Sequence, residues 1–173
     1  MGTPAGPVPP SAVVTTRLAR ATDRPLIARL LETAGNFNDE EAAVGLELVD
    51  VYLGGGTTGG PEGDYPTLVA EIDGEVVGYA TIGKTPFTVG TWHLYFIASD
   101  ITRRRAGIGR TLCAEIKRFA QERGGLRLVL ETSGRELYGG TRQFYHATGF
   151  AEEARIADYY SPGDPVVYFV WRW

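Results

Sequence analysis

The chain has 173 residues, with 21 Asp and Glu against 17 Lys and Arg, a net charge of −4 and 43% hydrophobic residues. That length fits one domain with its own core, and the acidic balance argues against general nucleic-acid binding, which needs a basic face. The single cysteine, Cys113, allows no internal disulfide and agrees with a cytoplasmic setting, and no apolar run nears the ~20 residues that span a bilayer.

The opening MGTPAGPVPPSA has no charged n-region and no apolar h-region, so it is not a secretory signal. Gly6 also stands where myristoylation wants Ser or Thr. Residues 1–12 read as a flexible Pro- and Gly-rich arm before a single domain at 13–173. Val13 to Leu18 reads as a first strand. Thr22 or Asp23 can cap a helix with Pro25 in its first turn and Leu26, Ile27, Leu30 and Leu31 as its apolar stripe. Asn38 with Glu41 three residues on resembles a capping box, and Ala42, Leu46, Val49 and Leu53 follow at helical spacing. Residues 54–64, GGGTTGGPEGD, are too polar and glycine-rich to pack and read as a mobile loop.

In TLVAEIDGEVVGYATIG, Asp73-Gly74 supplies the tight turn between two β-rich runs. TWHLYFIAS, 91–99, is another strand. Ile108, Leu112, Ile116 and Phe119 form one face of a helix ending near Gly124-Gly125. LRLVLETS, 126–133, is a strand joined to the previous one by a parallel crossover. TRQFYHATGF reads as a short helix closed by Gly149, and strands at about 150–157 and 166–172 flank the turn YYSPGD. The order is β-α-α-β-β-β-α-β-α-β-β, an α/β (α+β) chain without internal repeats.

The stretch RRRAGIGRTL, 103–112, sits between a strand and a helix. There several backbone N–H groups point outward and the helix dipole adds positive potential. Glycines at 107 and 109 remove Cβ atoms that would hold an anion off the backbone, and Arg104, Arg105 and Arg110 can add charge-assisted bonds. A dinucleotide fingerprint would need a third glycine near Leu112, and a phosphate-binding kinase-type loop would need Gly-Lys-Ser/Thr; neither is present.

Arg104-Arg-Ala-Gly107-Ile-Gly109 fits Arg/Gln-x-x-Gly-x-Gly/Ala, LYFIAS precedes it, and RQFYHATGF follows with a Phe-Tyr-x-x-x-Gly-Phe pattern. On these three features and the element order, the chain resembles the GNAT acetyltransferase superfamily over nearly its whole length after the arm, in particular a bacterial subgroup of acetyltransferases. One departure is Ser99-Asp100-Ile101, where the family often has Val-x-Pro; losing the proline removes rigidity but no ligand. The resemblance implies a GNAT fold, a mixed central sheet splayed between strands 4 and 5, with acetyl-CoA or another acyl-CoA in the V. It implies a pyrophosphate on the amides of Arg105, Ala106, Gly107, Ile108, Gly109 and Arg110, beside Arg104. It also implies a pantetheine arm on the strand edge at Ile97, Ala98 and Ser99, whose N–H groups polarise the thioester carbonyl.

The resemblance further implies N-acyl transfer, acetyl in the first instance, to a primary amine of a small molecule. The attacking amine must be neutral, and the departing thiolate benefits from a proton. His93 occupies the place where many members carry a basic glutamate, and period-two alternation puts it on one face with Tyr95 and Ile97. Tyr145 matches the family tyrosine that meets the CoA sulfur and serves as acid. Glu131, which ends the fifth strand with Thr132 and Ser133 where the sheet opens, is an alternative base or an ammonium holder, and water alone is a third possibility for the base. Thr132 and Arg142 are assigned to the CoA side, although Arg142 also reads as a solvated helix residue. Phe37, Glu41, Tyr138 and Tyr160 rim the acceptor pocket. Trp92, Trp171 and Trp173 read as packing residues, and Cys113 as buried and inert.

No metal is expected. Other acceptors and donors stay open: a peptide or protein N-terminus, and an acyl chain on a carrier protein's phosphopantetheine. A non-catalytic acyl-CoA-binding regulatory module is the non-enzyme alternative. Neither a monomer nor a homodimer is set by the sequence, and no nucleic-acid or membrane partner is indicated.

Overall fold

The computed structural model describes residues 13–54, 64–103 and 105–173. The arm at 1–12, residues 55–63 of the glycine-rich loop and Arg104 lie outside the described residues. The elements follow the expected order: β1 (Thr15–Leu18), α1 (Arg24–Thr33), α2 (Asp39–Gly54), β2 (Thr67–Ile72), β3 (Glu75–Lys84), β4 (Thr91–Ser99), α3 (Ile108–Glu122), β5 (Arg127–Ser133), α4 (Gly139–Ala147), β6 (Ala151–Ser161) and β7 (Asp164–Arg172). The seven strands form one sheet in the order β1-β2-β3-β4-β5-β7-β6. Every neighbouring pair is antiparallel except β4 with β5.

Helices cover both faces, because residues in β2 alternate in the core they enter. Leu68, Ala70 and Ile72 join α3 residues Ile108, Leu112 and Ile116. Val69 joins Ile27 and Leu31 of α1 and Val49 of α2. The capping box forms: the Glu41 N–H donates to Asn38 Oδ1 at 2.8 Å, and the Asn38 N–H donates to Glu41 Oε2 at 2.9 Å. Asp73-Gly74 makes the hairpin turn with both residues at positive φ, 52° and 80°.

The start of α1 is tied to the sheet by charge. Arg17 on β1 donates to Asp23 at 2.6 Å and to Glu71 on β2 at 2.6 Å. Asp23 is buried, and the Arg17 guanidinium holds its carboxyl below the usual carboxylate range.

The last hairpin departs from expectation. The sequence pattern ends the sixth strand near residue 157, but β6 runs on to Ser161, and the turn is only Pro162-Gly163. Ile156 pairs with Val166 and Ser161 with Asp164, so Ala157 to Tyr160 bulge out against the single residue Pro165. Asp158 takes φ 53° there, and its Oδ1 accepts the Gly163 N–H at 2.6 Å, which closes the bulge over the turn.

Candidate active site

The sheet opens where the resemblance places it. β4 follows β3 from Gly78↔Ser99 to Lys84↔Trp92. It meets β5 only at Thr91↔Arg127, Trp92↔Leu128 and His93↔Val129. Beyond His93 the two strands part, and among the described residues β4 has no ladder partner on its β5 side. β4 also carries a bulge: Phe96 pairs with Thr81 and Leu94 with Ile82, which leaves Tyr95 as the extra residue.

That bulge corrects the expected alternation. His93 and Tyr95 do share a face, with ring centroids 4.7 Å apart. Ile97 does not join them; it packs with Trp92 and Leu94 in the α3 core, while Phe96 turns to the α1–α2 core and meets Phe37 at 5.5 Å. One inserted residue reverses every side chain that follows.

On the α3 side a cleft of about 630 Å³ runs from the opened edge of β4 to the start of α3. Ile97, Ala98 and Ser99 form one wall; Arg105, Gly107, Ile108, Gly109 and Arg110 form its end. Gly107 sits at φ 81° as the N-cap of α3, and nothing lies within 4 Å of the Cβ it lacks. The first intrahelical bond is made by the Thr111 N–H to Gly107 O, so the amides of Ile108, Gly109 and Arg110 precede it and have no acceptor within the helix. Gly109 lines the cleft and is also small for packing: a Cβ there would stand 3.1 Å from the Phe144 ring, so its smallness seats α4 against α3.

Ala106 packs against the core and does not line the cleft. Arg103 lines it but is ion-paired to Glu75, whereas Arg110 donates to the Ala147 carbonyl at 3.4 Å. Asp100 accepts the Thr102 N–H at 2.8 Å and the Thr102 hydroxyl at 2.7 Å, which pins the chain between β4 and the glycine turn.

Tyr145 lies on the cleft from α4, ringed by Phe144, Phe150 and Phe169. Burial, with Cys113 behind it, pushes its phenol well above the ordinary value, so it keeps its proton through the neutral range. Sequence reasoning passed over Ala34 and Asn36 after α1, and Gly140 and Thr141 at the start of α4, all of which line the cleft. Small residues at loop ends carry no pattern that marks them. Two assignments to the CoA side are not supported by position. Thr132 is buried in the β5–β7 ladder, and Arg142 donates to the carbonyls of Ser133 at 2.7 Å and Arg135 at 2.8 Å, bracing the loop after β5.

The other face of the opening has a different character. Leu128 and Leu130 face the α3 core, so Val129 and Glu131 face away from it, on the side of His93. Glu131 stands directly across from Tyr168 of β7. Burial lowers the His93 pKa and Glu131 raises it, burial being the larger, so the imidazole is neutral at pH 7. Tyr160, from the β6 bulge, is pushed up to about 12, chiefly by burial and then by Glu131. Burial also raises Tyr138, with lesser contributions from Glu41 and Asp164, which places these groups near one another at the rim. Tyr168 and Tyr65 also belong to this face, Tyr65 meeting Tyr95 edge-on at 5.4 Å, and neither stood out in the sequence. Tyr145 and His93 thus approach the opening from opposite faces of the sheet.

Comparison with known proteins agrees with this geometry. The acetyltransferase (GNAT) family matches residues 36–150. A GNAT-family protein from Desulfovibrio desulfuricans is 37% identical, with a TM-score of 0.85 over 92% of this chain and 99% of that one. A Salmonella typhimurium protein solved with acetyl-CoA shares the fold at 19% identity and a TM-score of 0.71, over 93% of this chain and 94% of that one. The Escherichia coli ribosomal-protein-S18-alanine N-acetyltransferase shares it at 19% identity and 0.69, over 92% and 94%. A search of curated proteins found no match. The chain belongs to the acetyltransferase (GNAT) family and is an acyltransferase.

Proposed function

We propose that this enzyme transfers an acetyl group from acetyl-CoA to a primary amine of a small molecule. The observation that carries the reading is the opened edge of β4, which leads from the amides at the start of α3, without an acceptor inside that helix, past Ser99 and Ile97 to Tyr145. The residues fit the donor chemically. Amides at a helix start, which lack an acceptor within the helix, suit a pyrophosphate, and a strand edge opened from its neighbour suits the amide groups of a pantetheine arm. Arg105 and Arg110 add cationic charge beside them.

The chemistry divides between the two faces. His93, neutral and facing the acceptor side, takes the proton of the incoming ammonium. The amine nitrogen then attacks the thioester carbonyl; a C–N bond forms and the C–S bond breaks. Backbone N–H groups on the free edge of β4 steady the carbonyl oxygen as it gains charge. Tyr145 donates its O–H proton to the departing sulfur, the nitrogen passes its second proton through solvent to the Tyr145 phenolate, and the products are an amide and the free thiol of CoA, with His93 returning its proton to solvent.

The test is thiol release from acetyl-CoA across a panel of amines, with a carrier-protein thioester and an N-terminal peptide as separate arms. Amine-dependent release from acetyl-CoA supports the reading. Release only from the carrier thioester would reassign the donor, and release only with the peptide would reassign the acceptor. CoA binding without any release would make the protein a binding module.

A further inference from the structure

The acceptor face holds Glu131 among rings, with Glu41 and Asp164 near Tyr138 and Tyr160 at its rim. Glu131 faces Tyr168 across the β5–β7 ladder and lies two residues beyond Val129, the partner of His93, about 7 Å along the strand. Its charge acts on two further phenols: Tyr95, backed edge-on by Tyr65 at 5.4 Å, and Tyr160, backed edge-on by Tyr159 at 5.1 Å. The β6 bulge, four residues against one, is what carries Tyr159 and Tyr160 out of the ladder. Glu131 is exposed, and the cations nearest in sequence are committed elsewhere: Arg127 to Thr91 Oγ1 at 2.8 Å and Arg135 to Asp164 at 3.3 Å. Among the described residues no Lys or Arg pairs with Glu131.

A carboxylate walled by aromatic rings attracts a cation through its charge and through the negative ring faces, and both attractions last only while the cation stays charged. The attacking nitrogen has to lose its charge before it reacts. The ring-walled carboxylate therefore suits a second positive centre better than the nucleophile itself. Resting on the N-acyltransferase reading, we propose that the acceptor is a dication of the aliphatic diamine class: one amine meets His93, and a second ammonium sits at Glu131 between Tyr95, Tyr160 and Tyr168. The two are joined by a chain of a few methylenes.

The test compares butylamine, 1,4-diaminobutane and (4-aminobutyl)trimethylammonium, whose fixed charge cannot be acetylated or deprotonated. The two dications are expected to exceed butylamine by about tenfold or more in kcat/KM, mainly through KM. Glu131→Gln should bring that ratio close to one, Tyr160→Ala should lower it severalfold, and Tyr168→Phe, which keeps the ring, should preserve most of it. Equal kcat/KM for butylamine and the fixed-charge amine would overturn the proposal, as would a ratio that survives Glu131→Gln. If Glu131→Gln lowers kcat alike for all three amines, the carboxylate is the base and the proposal fails while N-acyl transfer stands. If no amine releases thiol, N-acyl transfer itself fails. Calorimetry of the fixed-charge amine with CoA-loaded protein then decides the cation site: binding abolished by Glu131→Gln retains it, and no binding removes it.

Discussion

The two faces of the opened sheet are built in opposite ways. The donor cleft comes largely from one continuous stretch, the end of β4, the Asp100 turn and the start of α3, completed by α4. Its groups are mostly backbone amides, whose positions follow from a helix start. The acceptor face is assembled from β4, β5, β6 and β7, and its groups are side chains: an imidazole, a carboxylate and phenols. A chemically fixed ligand such as a nucleotide thioester can be held by backbone, while an acceptor is distinguished by side chains that distant segments contribute. Substitutions on the two faces should accordingly fall on different kinetic parameters.

The largest expected effect is on the acceptor face. His93→Ala should lower kcat about 1,000-fold with little change in acetyl-CoA affinity by calorimetry; a full rate in this variant removes His93 as base. The pH profile sharpens the point. Because burial lowers the His93 pKa, the active neutral form persists until the pH falls below the ordinary histidine value of about 6.5. Wild-type kcat/KM should therefore fall on the acid side through an apparent pKa below 6.5, and that limb should vanish in His93→Gln. A limb that remains points to another base.

Tyr145→Phe comes next, with kcat expected to drop about 100-fold while the fold and CoA binding persist. An unchanged rate would leave sulfur stabilisation to the backbone alone. On the donor side, Gly107→Ala forces a side chain into φ 81° at a cost of about 1–2 kcal/mol. It should raise KM for acetyl-CoA several-fold and leave KM for the amine alone; a reversed pattern would break the division between the faces. The smallest effect is expected for Asp100→Ala, which loses two bonds to Thr102 and about 1 kcal/mol of stability, read as a lower denaturant midpoint.

How much of this was legible in the sequence follows from the same division. The element order, the Asn38–Glu41 box and the Gly107 turn are local, set by residues within a few positions of one another, and they appear as expected. The bulge at Tyr95 was not legible, because it is decided by how β4 lies against Thr81 and Ile82 of β3. It turned Ile97 away from His93. The long β6 was missed for a similar reason: Ser-Pro-Gly reads as a broad turn, but pairing of Ser161 with Asp164 shortens it to two residues. Arg142 shows the limit of chain position as a guide, since an arginine at the start of the helix after β5 proves to brace two carbonyls. Tyr168 had no local signature, and its importance comes from facing Glu131, a residue 37 positions away.

Cys113, buried in α3 behind Tyr145, has its thiol pushed up to about 11 by burial. Thiolate is the form that reacts with electrophiles and disulfides, so the folded enzyme is nearly silent toward sulfhydryl reagents at neutral pH. The chain has no other cysteine. Reagents that count the CoA released in turnover therefore see almost no background from the protein. Any slow labelling of the protein reports the opening of α3 beneath the donor cleft, which makes Cys113 a built-in gauge of how firmly bound CoA closes that part of the molecule.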